Sequence, residues 1–576
     1  MIHQKEDPNA TATVYGLLRR QASRFADHDL LVLPAAVQTL WQLPQSSWTY
    51  AGFLCQVNQL VERYRTCGYG SGHRVALLLG NQPAHFLHWL ALNALGASIV
   101  PLNPDASPDE QHYILTHSDS ALLVCLPQYL KQIQPVSERA GIALTTDNLT
   151  GLPLAPARPN LHNDAASERE CALLYTSGTT GRPKGCQLSN AYFYGWSDWY
   201  CAQGGLITLR HGQERLITPL PTFHVNAMGN SFMGMLASGG AQVIVDRFHP
   251  RSWWTMAAQT RATCFHYLGV MPAMLLQLPK DPNEDAHQLR FGMGGGVQPE
   301  HHAAFESRFN VPLLEGWAMT ETGGAGILCA ASEPRNIGKR CVGNPDRPGP
   351  AMETRLVDEH GEDVKPGEVG ELLLRATGDK PRRQFFSGYL KDAAATEALW
   401  DGGWMHTGDI MTTLPDGSLC FVDRKKNIIR RSGENIAAID VEICLAAHPR
   451  VARAAVVATA DPIRGEEVMA VIVPTPEKDN EKDDKKEDEK EDEKNQEQIR
   501  SEVLLATELL EYCASRLAYF KIPGYVSFVD SIPTTATQKL RKAELRELIA
   551  NPTAHPRTVD LREQKQKQRN PSRRSG

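Results

Sequence analysis

Short apolar, β-branched runs alternate with amphipathic stretches over roughly the first 420 residues. Arg74–Leu79, Ala241–Val245 and Val369–Leu374 have the length and composition of strands covered on both faces. Pro83–Leu95 spaces its apolar residues as an amphipathic helix does. This alternation predicts α/β layers. A second set follows, with strands at 427–431, 454–459 and 468–473 and helices at 440–447 and 502–517. It predicts a smaller α/β unit after the large one.

The run 477–498 breaks the pattern inside that smaller unit. It contains no apolar residue, so it has nothing to bury against the entropy of ordering. A solvated insertion in a surface loop is expected, and its length costs little in loop closure. Residues 551–576 read as a polar, basic tail. The expected division is therefore 1–423, a hinge at 424–426, and 427–550 followed by the tail.

Composition adds limits. The chain has 576 residues, 42% hydrophobic and 22% charged, as in globular proteins with a sizeable core. No uninterrupted apolar stretch reaches the roughly 18 residues of a membrane-spanning helix. The first residues, MIHQKEDPNA, are polar and do not resemble a signal peptide. The run 477–498 carries 12 acids and 6 lysines, which equals the whole net charge of −6. The remainder has no basic excess to attract nucleic acid. The 12 cysteines show no CxxC and no zinc spacing, so free thiols in a reducing cytoplasm are expected.

The chemistry is concentrated in Leu174-Tyr-Thr-Ser-Gly-Thr-Thr-Gly-Arg-Pro-Lys-Gly185. Gly178 and Gly181 let backbone N–H groups approach an anion. Thr176, Ser177, Thr179 and Thr180 offer hydroxyl donors, and Lys184 offers charge. This composition suits a polyphosphate. It is not the Walker pattern, because Gly185 follows the lysine. Read alone, a Ser/Gly string is a flexible turn.

That string resembles the signature of the adenylate-forming acyl-CoA synthetase superfamily, and further motifs follow in order from about residue 12 to about 548. The stretches Glu315-Gly-Trp-Ala-Met-Thr-Glu-Thr-Gly323 and Asp423–Asn435 look most like those of crotonobetaine/carnitine–CoA ligase-like acyl-CoA ligases. The resemblance implies the adenylate-forming fold: a large layered N-terminal α/β domain and a small mobile C-terminal one. It implies a two-step reaction. A carboxylate attacks the α-phosphate of ATP to give an acyl-adenylate and pyrophosphate, and the thiol of coenzyme A then displaces AMP. Bringing two anions together demands Mg²⁺, cationic side chains and oriented backbone dipoles.

The residue roles implied by the resemblance are these. In Pro219-Leu-Pro-Thr-Phe-His-Val-Asn226, Phe223 walls the acyl site and His224 helps place the carboxylate. A lone His beside an aromatic is otherwise a packed core residue. In Phe291-Gly-Met-Gly-Gly-Gly-Val297, the turn Gly294, Gly295 and Gly296 lines adenine together with Glu315, Gly316 and Trp317. Trp317 stands where Tyr is common. Thr320 meets the phosphates and Glu321 is the Mg²⁺ ligand, a hard oxygen donor for a hard ion. Asp409, in Trp404-Met-His-Thr-Gly-Asp409, and Arg424 hold the ribose. Lys426 is the hinge, and Ser432, Gly433 and Glu434 border the pantetheine path of coenzyme A. Lys539, preceded by Gln538 where Gly is usual, is the adenylation lysine.

The acyl pocket is expected from Phe223, His224, Asn226, Met228, Gly229, Met293, Trp317 and Met319, a mostly apolar set with pliable methionines. It suits a small or medium aliphatic acid, with a betaine or an aryl acid as alternatives. A carrier-protein pantetheine is the rival acceptor to coenzyme A. Oligomeric state is left open, with a homodimer among the alternatives.

Overall fold

The computed structural model describes residues 12–157, 165–176, 183–431, 434–462, 464–476, 491–534, 540, 542, 544–545, 551–552 and 555–568. Contacts divide the chain into two compact units, 1–407 with 412–421, and 408–411 with 422–576. Gly408–Met411 and Val422–Asp423, expected in the first unit, belong to the second. The reason is local: Asp409 pairs with Arg424, and Asp423 bonds to Ile439, both within the second unit.

In the first unit, a seven-stranded sheet runs Gly388–Tyr389, Lys184–Ser189, Glu170–Thr176, Ser98–Pro101, Arg74–Leu78, Leu122–Cys125 and Leu144–Thr146. Ser98–Pro101 and Leu122–Cys125 are buried at every position, as mostly apolar sequences are in parallel strands covered on both faces; the polar exception is Ser98. An eight-stranded sheet carries the glycine-rich strand Phe291–Gly295 between parallel partners Cys264–Leu268 and Leu313–Trp317. A five-stranded sheet includes Val369–Ala376.

The helix Pro83–Ala94 departs from its amphipathic reading. Its polar residues His85, His88 and Asn93 are buried with its apolar ones. His88 bonds the Tyr64 hydroxyl at 2.7 Å and the Asp147 carbonyl at 2.9 Å, and Asn93 donates to Asn190 Oδ1 at 2.9 Å. Internal partners replace water on what periodicity marks as the wet face. Burial pulls His85 down to about 3 and His88 down to about 4, so both rings are neutral at physiological pH.

The second unit is built on a six-stranded sheet in which Gly465–Pro474 pairs antiparallel with Val451–Asp461 and parallel with Tyr525–Phe528. Helix Ala438–Ala446 and helix Glu491–Ala514 bring Val441, Leu445, Leu505 and Leu509 into its core. Two expectations are corrected. Residues 491–498 of the charged run are helix, the first two turns of Glu491–Ala514. Nor is 551–576 simply a tail. Thr558–Asp560 adds a strand to the sheet and Arg562–Gln568 is helical, with Leu561 and Lys565 buried. A basic composition concealed this segment, because Arg557, Arg562 and Lys565 pair with Glu502, Asp461 and Glu467 inside the unit.

The remainder of the charged run, 477–490, lies outside the described residues. Replacing those residues with a short Gly/Ser linker is expected to leave turnover within about threefold, since they carry no apolar surface to bury. A hundredfold loss in folded protein, measured at saturating substrates, would contradict this.

Candidate active site

The phosphate string sits on an antiparallel hairpin. Strand Glu170–Thr176 pairs with Lys184–Ser189 so that Thr176 lies directly opposite Lys184. Ser177, Gly178, Thr179, Thr180 and Gly181, between those strands, lie outside the described residues. Lys184 Nζ stands 3.4 Å from Asp392 Oδ2 and 4.9 Å above the ring of Tyr389. The two-residue strand Gly388–Tyr389 brings that ring beside Lys184 by pairing with Gln187 and Cys186.

Tyr389 also reaches Glu321. Its hydroxyl donates to Glu321 Oε1 at 2.8 Å, and the Cys186 thiol points at the same oxygen from 3.8 Å. Lys184 and Glu321, distant in sequence, thus meet at one tyrosine, Lys184 over its ring and Glu321 at its hydroxyl. Burial, then the nearby Glu321 charge, raises the Tyr389 phenol well above its usual range, so it remains a proton donor. Thr320 and Glu321 are fixed through their backbone. The Tyr192 hydroxyl donates to the Thr320 carbonyl at 2.7 Å, and Phe386 N–H donates to the Glu321 carbonyl at 3.0 Å.

The glycine strand owes its composition to its neighbours. A Cβ on Gly294 would come 2.2 Å from the Tyr267 carbonyl oxygen, and one on Gly295 would come 2.8 Å from the Gly316 oxygen. Gly296 turns the chain at φ +83°. Glu315 secures this turn. Its Oε2 accepts from Gly296 N–H and its Oε1 from Val297 N–H, each at 3.0 Å. Burial pushes the Glu315 carboxyl up to about 7 although both N–H groups favour its charge. Trp317 is buried, next to Gly316, at the end of the neighbouring strand Leu313–Trp317.

At the expected acyl site, Phe223 and His224 have ring centroids 4.7 Å apart. Asn81, which sequence reasoning passed over, pins their segment: its amide donates to the Pro219, Leu220 and Val245 carbonyls, and its Oδ1 accepts from Thr222 N–H at 2.8 Å. Asn226–Phe232 is a π-helix, a rare form that recurs at functional sites. Met228 is fully buried, and a Cβ on Gly229 would come 2.6 Å from Trp196 Nε1, so both face the packed layer. Behind Asn226 runs a polar chain. Ser231 Oγ lies 3.4 Å from Asn226 Oδ1 and 2.8 Å from His266 Nδ1, and His266 Nε2 lies 3.1 Å from the Tyr200 hydroxyl. Burial pulls His266 down to about 3, leaving it neutral. Asn230 Nδ2 lies 3.6 Å from Met293 Sδ, joining this wall to the glycine strand. Met319 is half-buried, and its N–H donates to Thr322 Oγ1 at 3.0 Å.

Asp409 and Arg424 stand in the second unit. Asp409 is 0% exposed and Arg424 Nε lies 2.6 Å from its Oδ1. The neighbouring Asp423, also missed as a functional residue, fastens the segment beyond it. Its Oδ1 accepts from Arg424 N–H at 2.7 Å and Asn427 Nδ2 at 3.2 Å, and its Oδ2 from Ile439 N–H at 3.1 Å. Lys426 lies in the turn Lys425–Asn427. Glu434 is exposed, on a strand that pairs it with Arg431. Ser432, Gly433 and Lys539 lie outside the described residues. Among the described residues, no group of three His, Cys, Asp or Glu could hold a metal ion, and no helix is long and apolar enough to cross a membrane.

Comparison with known proteins places this geometry. The AMP-binding enzyme family matches residues 18–390, and the C-terminal domain of AMP-binding enzymes matches 440–539. Crotonobetaine/carnitine–CoA ligases from Shigella flexneri and Proteus mirabilis are each 28% identical, over 87% of this chain and 93% of theirs. Among solved structures, an o-succinylbenzoate CoA synthetase from Bacillus subtilis, in complex with an acyl-adenylate intermediate, superposes with a TM-score of 0.74 at 23% identity. It covers 92% of this chain and 97% of its own. An amide bond synthetase from Marinactinospora thermotolerans superposes with a TM-score of 0.73 at 25% identity, over 93% and 99% of the two chains. The strand order, the hairpin that presents Lys184 and these matches over most of the length lead to one conclusion: the chain belongs to the adenylate-forming, AMP-binding enzyme family.

Proposed function

We propose that this enzyme is an AMP-forming acid–CoA ligase that activates a small or medium aliphatic acid, or a crotonobetaine- or carnitine-like one. The observation that carries the reading is the meeting of Lys184 and Glu321 on Tyr389, which puts a cation over the ring and a hard carboxylate at the hydroxyl of one fixed donor. Lys184 and Thr176 take the phosphates at the mouth of their hairpin, joined by Ser177, Gly178, Thr179, Thr180 and Gly181. Glu321 fits Mg²⁺ by its donor chemistry. Glu321 would hold the ion through a carboxylate oxygen, a hard donor suited to a hard cation. The bound ion supplies charge neutralisation between two reacting anions.

In this reading, His224 orients the acyl carboxylate toward the α-phosphate, and the Lys539 ammonium stabilises charge where the two meet. Thr320 meets the phosphates, and Asp409 and Arg424 hold the ribose. Gly294, Gly295, Gly296, Gly316 and Trp317 border adenine. Glu315 acts on adenine indirectly, because its two oxygens already hold the glycine turn. In the second step coenzyme A enters past Ser432, Gly433 and Glu434, after a rotation about Lys426.

Burial of Met228 and the wedging of Gly229 against Trp196 support a short acid, since neither residue yields room without repacking. Phe223 and Trp317 supply faces that attract a quaternary ammonium. The names of the ligase relatives support the betaine alternative. Twelve free cysteines fit a cytoplasmic enzyme.

The test is product analysis. The protein is incubated with ATP, Mg²⁺ and a panel of aliphatic, betaine and aryl acids, with free coenzyme A or a pantetheine-bearing carrier protein. Acyl-CoA and AMP from an aliphatic or betaine acid are expected. A thioester formed only on the carrier would overturn the acceptor, and turnover confined to aryl acids would overturn the substrate class.

A further inference from the structure

The segment beyond the family's C-terminal match, which ends at residue 539, is built into the second unit. Thr558–Asp560 pairs antiparallel with Tyr525–Phe528, setting Tyr525 opposite Asp560 and Ser527 opposite Thr558. Leu561 N–H donates to the Gly524 carbonyl at 2.9 Å, and the helix Arg562–Gln568 begins there. One turn on, Lys565 is 1% exposed, a rare fate for a lysine.

Its ammonium reaches a buried carboxylate. Lys565 Nζ lies 2.7 Å from Glu467 Oε1. The same oxygen takes Arg431 Nε at 2.7 Å and Val468 N–H at 3.0 Å. Glu467 is 0% exposed, and the space it fills depends on Gly524, whose Cβ would come 2.5 Å from Glu467 Cγ. Arg431 and Lys565 stand 5.6 and 5.8 Å from the ring centroid of Tyr519. Arg464 completes the surroundings, 3.9 Å from Glu467 Oε2.

Three cations around one buried carboxylate are an expensive way to stabilise a core, because desolvation offsets most of the attraction. What such an arrangement provides is position. Arg431 ends the strand Ile428–Arg431 and pairs across its hairpin with Glu434 and, on the other side, with Gly465. Its guanidinium adds a side-chain tie to the backbone pairing and the Arg430 N–H to Glu466 bond that already join the hairpin stem to the sheet, and Lys565 reaches the same carboxylate oxygen.

We propose that Lys565 is a positioning residue for the thioester-forming step, acting through Glu467 and Arg431 on the stem of the hairpin that carries Glu434. The proposal rests on the reading above that Glu434 borders the path of coenzyme A. It gives the C-terminal extension of this chain a function in the second half-reaction and none in the first. Burial pulls the Lys565 ammonium down to about 8, against the pull of Glu467 in the opposite direction and with Arg431 and Arg464 adding to the lowering.

The experiment uses the full-length chain carrying Lys565→Met, which keeps an unbranched apolar stem, and Lys565→Arg, which keeps the charge. Acid-dependent ATP–pyrophosphate exchange reads the first step. Conversion of chemically supplied acyl-adenylate with titrated coenzyme A reads the second. Lys565→Met is expected to leave exchange within about twofold while raising the KM for coenzyme A by roughly fivefold or more. Lys565→Arg is expected to return most of that loss. Should Lys565→Met fail to fold, Lys565→Gln, which keeps an N–H donor to Glu467, is expected to show the same split. Equal losses in both steps, or no change in either, would overturn the proposal and leave Lys565 a structural ion. If the unaltered chain performed exchange but made no acyl-CoA, the reading of the acceptor would fail instead.

Discussion

Lys539→Ala is expected to lower acyl-adenylate formation by roughly 10²-fold or more, the usual size for removing one charge that acts only in the transition state. The same variant should still convert supplied acyl-adenylate and coenzyme A into acyl-CoA. Gly433→Leu should behave in the opposite way if, as proposed, Gly433 borders the pantetheine path of coenzyme A, where an added side chain would obstruct the arm. It should make adenylate and pyrophosphate, then stall before the thioester. Both variants can be assayed with the same acid. Equal loss of both steps in both folded variants would contradict alternation of the second unit between two half-reactions. Full adenylation by Lys539→Ala would remove that lysine from the chemistry.

Glu321→Gln is expected to lower turnover at saturating Mg²⁺ by about 10²-fold, because it removes a carboxylate charge at the site of phosphate chemistry. Its effect on folding should be small. The amide oxygen of Gln can still accept from the Tyr389 hydroxyl, which Glu321 Oε1 now does at 2.8 Å. A thermal melt should therefore move by no more than about 2–4 °C, the shift that about 1 kcal/mol produces in a domain of about 150–250 residues and an upper bound for a longer chain. Unchanged activity across a Mg²⁺ titration would show that Glu321 is not the ligand. A collapse of the melting temperature with no change in the residual Mg²⁺ dependence would make it a structural carboxylate.

The parts of the site that local sequence determines were readable in advance. Thr176 and Lys184 stand out in their Gly- and hydroxyl-rich string, but that they lie opposite each other on a hairpin is visible only in the structure. Gly294, Gly295 and Gly296 read as a turn, whereas Gly294 and Gly295 belong to the strand Phe291–Gly295, and the reason for its glycines lies outside it. They admit the Tyr267 and Gly316 carbonyls of neighbouring strands as well as any ligand. Tyr389 was not readable. It reaches Lys184 and Glu321 only because a two-residue strand joins the edge of a sheet whose next member lies some 200 residues earlier, and no local pattern encodes that pairing.

The same limit explains the fold's departures. Hydrophobic periodicity cannot tell a buried histidine from a solvated one, so Pro83–Ala94 looked half wet while His88 was satisfied by Tyr64 and Asp147. Charge density misled at both ends of the second unit's helices. Residues 491–498 are helical because they continue a helix whose later turns carry Leu505 and Leu509 into the core, not by their own burial. Lys565 appeared to be a tail residue because its partner, Glu467, sits about 100 residues earlier on a different strand. Tertiary partners, rather than propensity, decided each of these cases.

The central claim is that the chain activates an acid by transferring AMP to it. Acid-dependent exchange of labelled pyrophosphate into ATP tests that most directly, because it requires a reversible adenylate and needs no second substrate. The account predicts exchange that depends on the acid and on Mg²⁺, proceeds without coenzyme A, and gives way to AMP and acyl-CoA when coenzyme A is added. Formation of ADP and phosphate, or the absence of exchange across aliphatic, betaine and aryl acids in folded protein, would contradict it.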